Sequence, residues 1–103
     1  MDKYFLHGNF TAKPGKEKEL IRILLRAAKL LEKAKGCKFY IISIDPQVKE
    51  NIWVTEVWDS KMDHDNSLNN PKVRELVLQA TPFLYGTPEK GQELVTLAGL
   101  GFK

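Results

Sequence analysis

Two neighbouring stretches of this chain are apolar on both of the faces that a β-strand presents. Along 37–44, Phe39 and Ile41 alternate with Tyr40, Ile42 and Ile44; along 52–59, Ile52, Val54 and Trp58 alternate with Trp53 and Val57. Successive side chains of a strand point to opposite faces, so a sheet with one solvated face reads apolar, polar, apolar. Here both faces want burial. Whatever these strands build must be covered twice.

The rest of the chain offers little cover. Residues 4–12 read as a first strand, closed by the turn signal Lys13-Pro14-Gly15. Over 16–35, Leu20, Leu24, Ala27, Leu31 and Ala34 fall on one side of a helix, flanked by Ile21, Ile23, Leu25, Ala28 and Leu30, with Gly36 in the place of a C-cap glycine. The strands 37–44 and 52–59 are joined by Asp45-Pro46 and the loop that follows, as in a hairpin. Ser60 and Asp63 form a capping-box pattern for a short helix, and Asn70-Pro71 restarts it. Val73, Leu76, Val77 and Ala80 give that segment its apolar face, Pro82 ends it, and Glu93 to Ala98 is the last strand. The order β-α-β-β-α-β predicts an α+β, ferredoxin-like domain over 1–103: a four-stranded antiparallel sheet with two helices on one face. Two helices cover one face only. A second copy, packed sheet on sheet, is the economical cover for the other, so a homodimer is expected. A chain of 103 residues favours this too, since a domain of that size buries only about 60–65% of its unfolded surface.

Charge and cysteine usage narrow the partners. The net charge is +3. Its basic excess lies along Lys18, Arg22, Arg26, Lys29 and Lys33, a helical stripe opposite the apolar arc, which reads as a solvated face. The aromatics and glycines that accompany nucleic-acid surfaces are missing from it, so no nucleic-acid partner is expected. The single cysteine, Cys37, has no partner for an internal disulfide and suggests a reducing, cytoplasmic setting. No run approaches the roughly 18 apolar residues of a membrane span. No membrane partner is expected.

Few residues carry chemistry. His7 and His64 are the only histidines. Asp59, Asp63, His64 and Asp65 cluster, but acidic residues in a first helical turn answer the helix dipole, and no second ligand pair has metal spacing. No metal is expected. His64 suits proton transfer, because imidazole titrates near neutral pH. Trp58 ends its strand just before that helix, and Glu56, two residues earlier, shares its face. A carboxylate on an apolar strand face needs a partner or a wet cavity. Asn9 and His7 share one face of the first strand and are candidates for the same pocket. Nucleophile elbows, phosphate loops and Cys/His pairs are absent.

The stretches Phe10-Thr11-Ala12-Lys13-Pro14-Gly15-Lys16-Glu17, Lys35-Gly36-Cys37 and Glu56-Val57-Trp58-Asp59-Ser60-Lys61 with His64, followed by Asn70-Pro71 and Pro82, resemble the antibiotic-biosynthesis-monooxygenase-like family over about residues 4–98. The resemblance implies ferredoxin-like dimers whose sheets pack into an α+β barrel. It also implies a cofactor-free oxygenase acting on a quinol, an anthrone or a similar small aromatic substrate. Within it Trp58 matches a pocket tryptophan and His64 a histidine often found after it. The oxygenase asparagine four residues before the tryptophan is Val54 here, which leaves Val54 as a pocket position without the polar group. Val77 stands where haem-degrading members carry an axial histidine, which speaks against haem. An isomerase or other non-redox enzyme on the same scaffold, and a non-catalytic ligand-binding dimer, are the alternatives the resemblance leaves open.

Overall fold

The computed structural model describes residues 2–88 and 91–101. β1 (Lys3–Thr11) is followed by α1 (Glu17–Leu31), β2 (Cys37–Ile44), β3 (Asn51–Trp58), α2 (Lys61–Ser67), α3 (Pro71–Ala80), a 3-10 turn (Thr81–Phe83) and β4 (Gln92–Thr96). The sheet runs β2-β3-β1-β4 with every neighbouring pair antiparallel. This is the ferredoxin-like order. The segment after α3 is stitched to the end of β1 by Lys13 N–H donating to Phe83 O at 2.8 Å and Tyr85 N–H to Thr11 O at 2.7 Å.

Register decides which residues meet. Tyr4, Leu6, Gly8 and Phe10 of β1 pair with Trp58, Glu56, Val54 and Ile52 of β3. Ile52 and Val54 pack with Leu20, Ile23 and Leu24, and Trp58 with Leu31, so this is the helix-covered face; Val57, on the other side of the strand, is buried too. α1 lays Leu20, Ile23, Leu24 and Leu31 on it, a stripe at helical spacing. Each such buried side chain is worth about 1.5–3 kcal/mol, enough to dock the helix without a side-chain N-cap. The opposite face carries Phe5, His7, Trp53, Thr55, Phe39, Ile41 and Leu94. Phe39, Ile41 and Leu94 are 39%, 49% and 52% exposed. No helix lies over them.

Several expectations change in detail. α1 stops at Leu31, its last buried residue, and Gly36 turns the chain into β2 at φ +81° instead of capping the helix. The bond from Ala34 N–H to Leu31 O, at 3.0 Å, tightens the exit, because further helix would carry the chain away from the sheet. Three helices, not two, cover the inner face, since Asn70-Pro71 divides the second helical segment into α2 and α3. Both caps form as expected: Ser60 Oγ accepts from Asp63 N–H at 3.1 Å, and Asn70 Oδ1 accepts from Lys72 N–H at 2.9 Å. Val77 is 55% exposed, leaving Val73 and Ala80 as the buried contacts of α3. β4 ends at Thr96, short of Ala98. Among the described residues no helix is long and apolar enough to cross a membrane.

Candidate active site

The site is organised around one carboxyl group. Glu56 sits on the inner face of β3 between Leu6 of β1 and Tyr40 of β2, with its side chain 14% exposed. Trp58, two residues along the same face, donates its indole N–H to Glu56 Oε1 at 3.0 Å. Burial pushes the Glu56 carboxyl above its ordinary value, against the opposing influence of that hydrogen bond and of His64. The group is therefore biased toward its neutral acid.

α2 brings the imidazole. His64 Nε2 lies 3.8 Å from Glu56 Oε1, and His64 Nδ1 lies 2.9 Å from Asp65 Oδ1. A carboxylate accepts only, so neutral His64 carries its proton on Nδ1 and turns the Nε2 lone pair inward. Edge-on contact with the Trp58 ring at 5.7 Å and a tilted contact with Tyr4 at 5.4 Å fix the ring plane. Asp65 also accepts from Lys61 Nζ at 3.1 Å. Its bonds to His64 and Lys61 hold its carboxyl below the ordinary range.

Two phenols complete the surroundings. Tyr4 Oη donates to Glu93 Oε2 at 2.8 Å, and burial together with that carboxylate raises its pKa. Burial, then repulsion from Glu56, does the same to Tyr40. Both remain neutral hydrogen-bonding groups at physiological pH. Two cavities reach this centre. One, of about 270 Å³, includes Tyr4, Gly8, Val54, Lys61, Asp65 and Glu93 in its walls; the other, of about 300 Å³, lies between α1 and α3. Glu56 and His64 border both.

The residues singled out in the sequence are distributed unevenly. Glu56, Trp58 and His64 are brought together. Trp58 stands behind the other two, fully buried against Leu31 and Val73, and lines neither cavity. Val54 and Asn9 border the smaller cavity. The register puts Asn9 opposite Trp53, so its side chain belongs to the outer face. His7 is on that outer face too, with Nδ1 at 2.9 Å from Thr55 Oγ1 and its ring stacked on Trp53 at 5.0 Å. Tyr4, Tyr40 and Glu93 carry no signal in the sequence as members of a site, and Asp65, weighed there only as part of a metal cluster with Asp59, Asp63 and His64, is instead the hydrogen-bond partner of His64. Among the described residues, no three His, Cys, Asp or Glu side chains converge to hold a metal ion.

The family description "antibiotic biosynthesis monooxygenase" matches residues 3–78, from the first residue of β1 into α3. The chain belongs to the antibiotic biosynthesis monooxygenase family. Tyr4, Glu56, Trp58, His64 and Asp65 all fall inside the matched segment, and Glu93 outside it. A protein of Chloroflexus aurantiacus J-10-fl, provisionally named an antibiotic biosynthesis monooxygenase, is 34% identical, with 98% of this chain and 99% of that one aligned at a TM-score of 0.86. A similarly named protein of Caulobacter crescentus CB15 shares 18% identity over 93% of this chain and 91% of its own, at a TM-score of 0.84. A conserved protein of Methanosarcina mazei Go1 shares 17% over 93% and 92%, at 0.81. These last two speak to the fold alone. No curated protein matches the chain.

Proposed function

We propose that this family member oxidises a quinol, an anthrone or a similar hydroxylated aromatic with dioxygen, without a metal or organic cofactor. The observation that carries the reading is His64: Nδ1 is tied to Asp65, and Nε2 faces a largely apolar space beside a buried carboxyl. Nε2 accepts the substrate's hydroxyl proton. Asp65, with its side chain 52% exposed, stabilises the imidazolium and opens the way to solvent. The substrate anion is electron-rich enough to reduce dioxygen itself. One oxygen atom enters the substrate; the other leaves as water with the two hydrogens the substrate gives up, so the substrate supplies every electron.

Glu56 fits this chemistry because burial favours its neutral form. A raised carboxyl pKa lessens the repulsion that a carboxylate there would exert on the substrate anion. Trp58 is a positioning residue that holds one Glu56 oxygen in place. The protein acts as a cytoplasmic homodimer, with the outer sheet faces of two copies packed together.

Oxygen uptake with a panel of hydroquinones and an anthrone tests the reading. Turnover is expected, with kcat/KM falling at least about 100-fold in His64→Ala, as for loss of a general base. An absence of oxygen uptake across the panel, or a His64→Ala enzyme within about threefold of wild type, would overturn it.

A further inference from the structure

The two cavities that meet at Glu56 and His64 differ in chemistry. The smaller has charged groups on its rim: Lys61 and Asp65 from α2, and Glu93 from β4 beside the Tyr4 hydroxyl. The larger is walled by Leu24, Ala27, Val73, Leu76 and Val77, and among the described residues its only ionisable side chains besides the Tyr40 phenol are Glu56 and His64 at the junction. Leu6 and Phe10 also border both spaces, so the two adjoin along the wall that holds Glu56 and His64.

A ligand that fills only the smaller arm leaves about 300 Å³ lined by aliphatic side chains beside it. A cavity of roughly 150 Å³ accommodates benzene. The apolar arm thus has room for roughly twice that carbon content, about eight to twelve carbons. A polar group cannot enter this arm without losing its hydrogen bonds, since no donor or acceptor lies along its helical walls beyond Ser67.

We infer that the natural ligand is an amphiphile, a hydroxylated ring bearing an apolar chain, with the ring hydroxyl at Glu56 and His64 and the chain between α1 and α3. The inference rests on the proposed site and names its substrate class, but it does not depend on the oxidation. The chain selects the substrate and holds the ring against the junction. A short-chain phenol meets the same polar groups with far less area removed from water.

The experiment uses 4-alkylphenols from methyl to octyl, each below its aggregation limit, with binding measured by calorimetry in oxygen-free buffer. Affinity is expected to rise about two- to fourfold per added methylene and to level off near the longest chains, as expected for about 0.8 kcal/mol per buried methylene. Ala27→Phe and Leu76→Phe, each confirmed to unfold cooperatively, are expected to weaken octylphenol at least tenfold and flatten the series. A wild-type affinity that does not depend on chain length overturns the inference. So does a slope that survives in both folded variants, which would put the chain on another surface. Failure of the oxidation reading is seen separately: binding then lengthens with the chain while no hydroquinone consumes oxygen.

Discussion

A carboxyl group facing a sheet's apolar side is costly as an anion, and Glu56 reduces that cost by staying protonated more readily than a free glutamate. Folding then binds a proton in the window between the ordinary glutamate pKa and the raised one. Its favourable contribution is complete below that window and is lost as pH rises through the folded value. Glu56→Gln keeps an oxygen for the Trp58 indole and removes the ionisation. The variant's melting temperature should therefore match wild type near pH 4 and exceed it at pH 8, by a gap that widens as pH rises. Circular dichroism melts at both pH values check this, and a gap that fails to widen with pH would count against it. Glu56 and Trp58 were legible as partners because residues two apart on a strand share a face. Asp65 was legible as a neighbour of His64 but not as its hydrogen-bond partner, because adjacent residues on a helix do not ordinarily face one another. Tyr4 and Glu93 stayed hidden because their pairing depends on the register of β1 with both β3 and β4, which no local pattern reveals.

At the scale of elements, the site depends on α2, a seven-residue helix with no buried residue of its own. Its N-terminus is held by the Ser60 cap, and Asp63 packs on Gly36 so closely that a side chain there would overlap it. Gly36 O also accepts from Asp59 N–H at 2.7 Å, tying the β2 entrance to the start of α2. Gly36→Ala meets two obstacles, a positive φ and the Asp63 side chain. The first alone costs about 1–2 kcal/mol. Urea unfolding should show a loss of about 2 kcal/mol or more, and an unchanged midpoint would refute the tight docking. The sequence marked this glycine as significant and assigned it to the wrong element. A positive-φ requirement is readable; the neighbour that makes it matter comes from a helix 25 residues away and is not. The caps at Ser60 and Asn70 were readable because each is local, set by a side chain and a backbone N–H two or three residues on.

At the scale of the whole molecule, β2 and β3 are apolar on both sides. Ile52, Val54 and Trp58 found cover under the helices, while Phe39, Ile41 and Leu94 remain open on the other face with Phe5 and Trp53 beside them. The alternation that first demanded two covers is thus present in the register, and it was legible because period two needs no tertiary knowledge. What the alternation does not specify is the occupant. Four strands about 4.8 Å apart and five to nine residues long present a projected face on the order of 400–500 Å². Corrugated by side chains, that approaches the roughly 800 Å² per partner of a standard interface. His7 softens the face near its middle, with Nδ1 bonded to Thr55 and its ring stacked on Trp53. A second copy meets the same apolar set with the same set, as an isologous interface requires. Light scattering at micromolar concentration should give twice the chain mass, and Ile41→Lys, which puts a charge on the exposed face without touching the inner cavity, should give a folded monomer. A wild-type monomer would sink the proposal, as would an Ile41→Lys protein that stays dimeric.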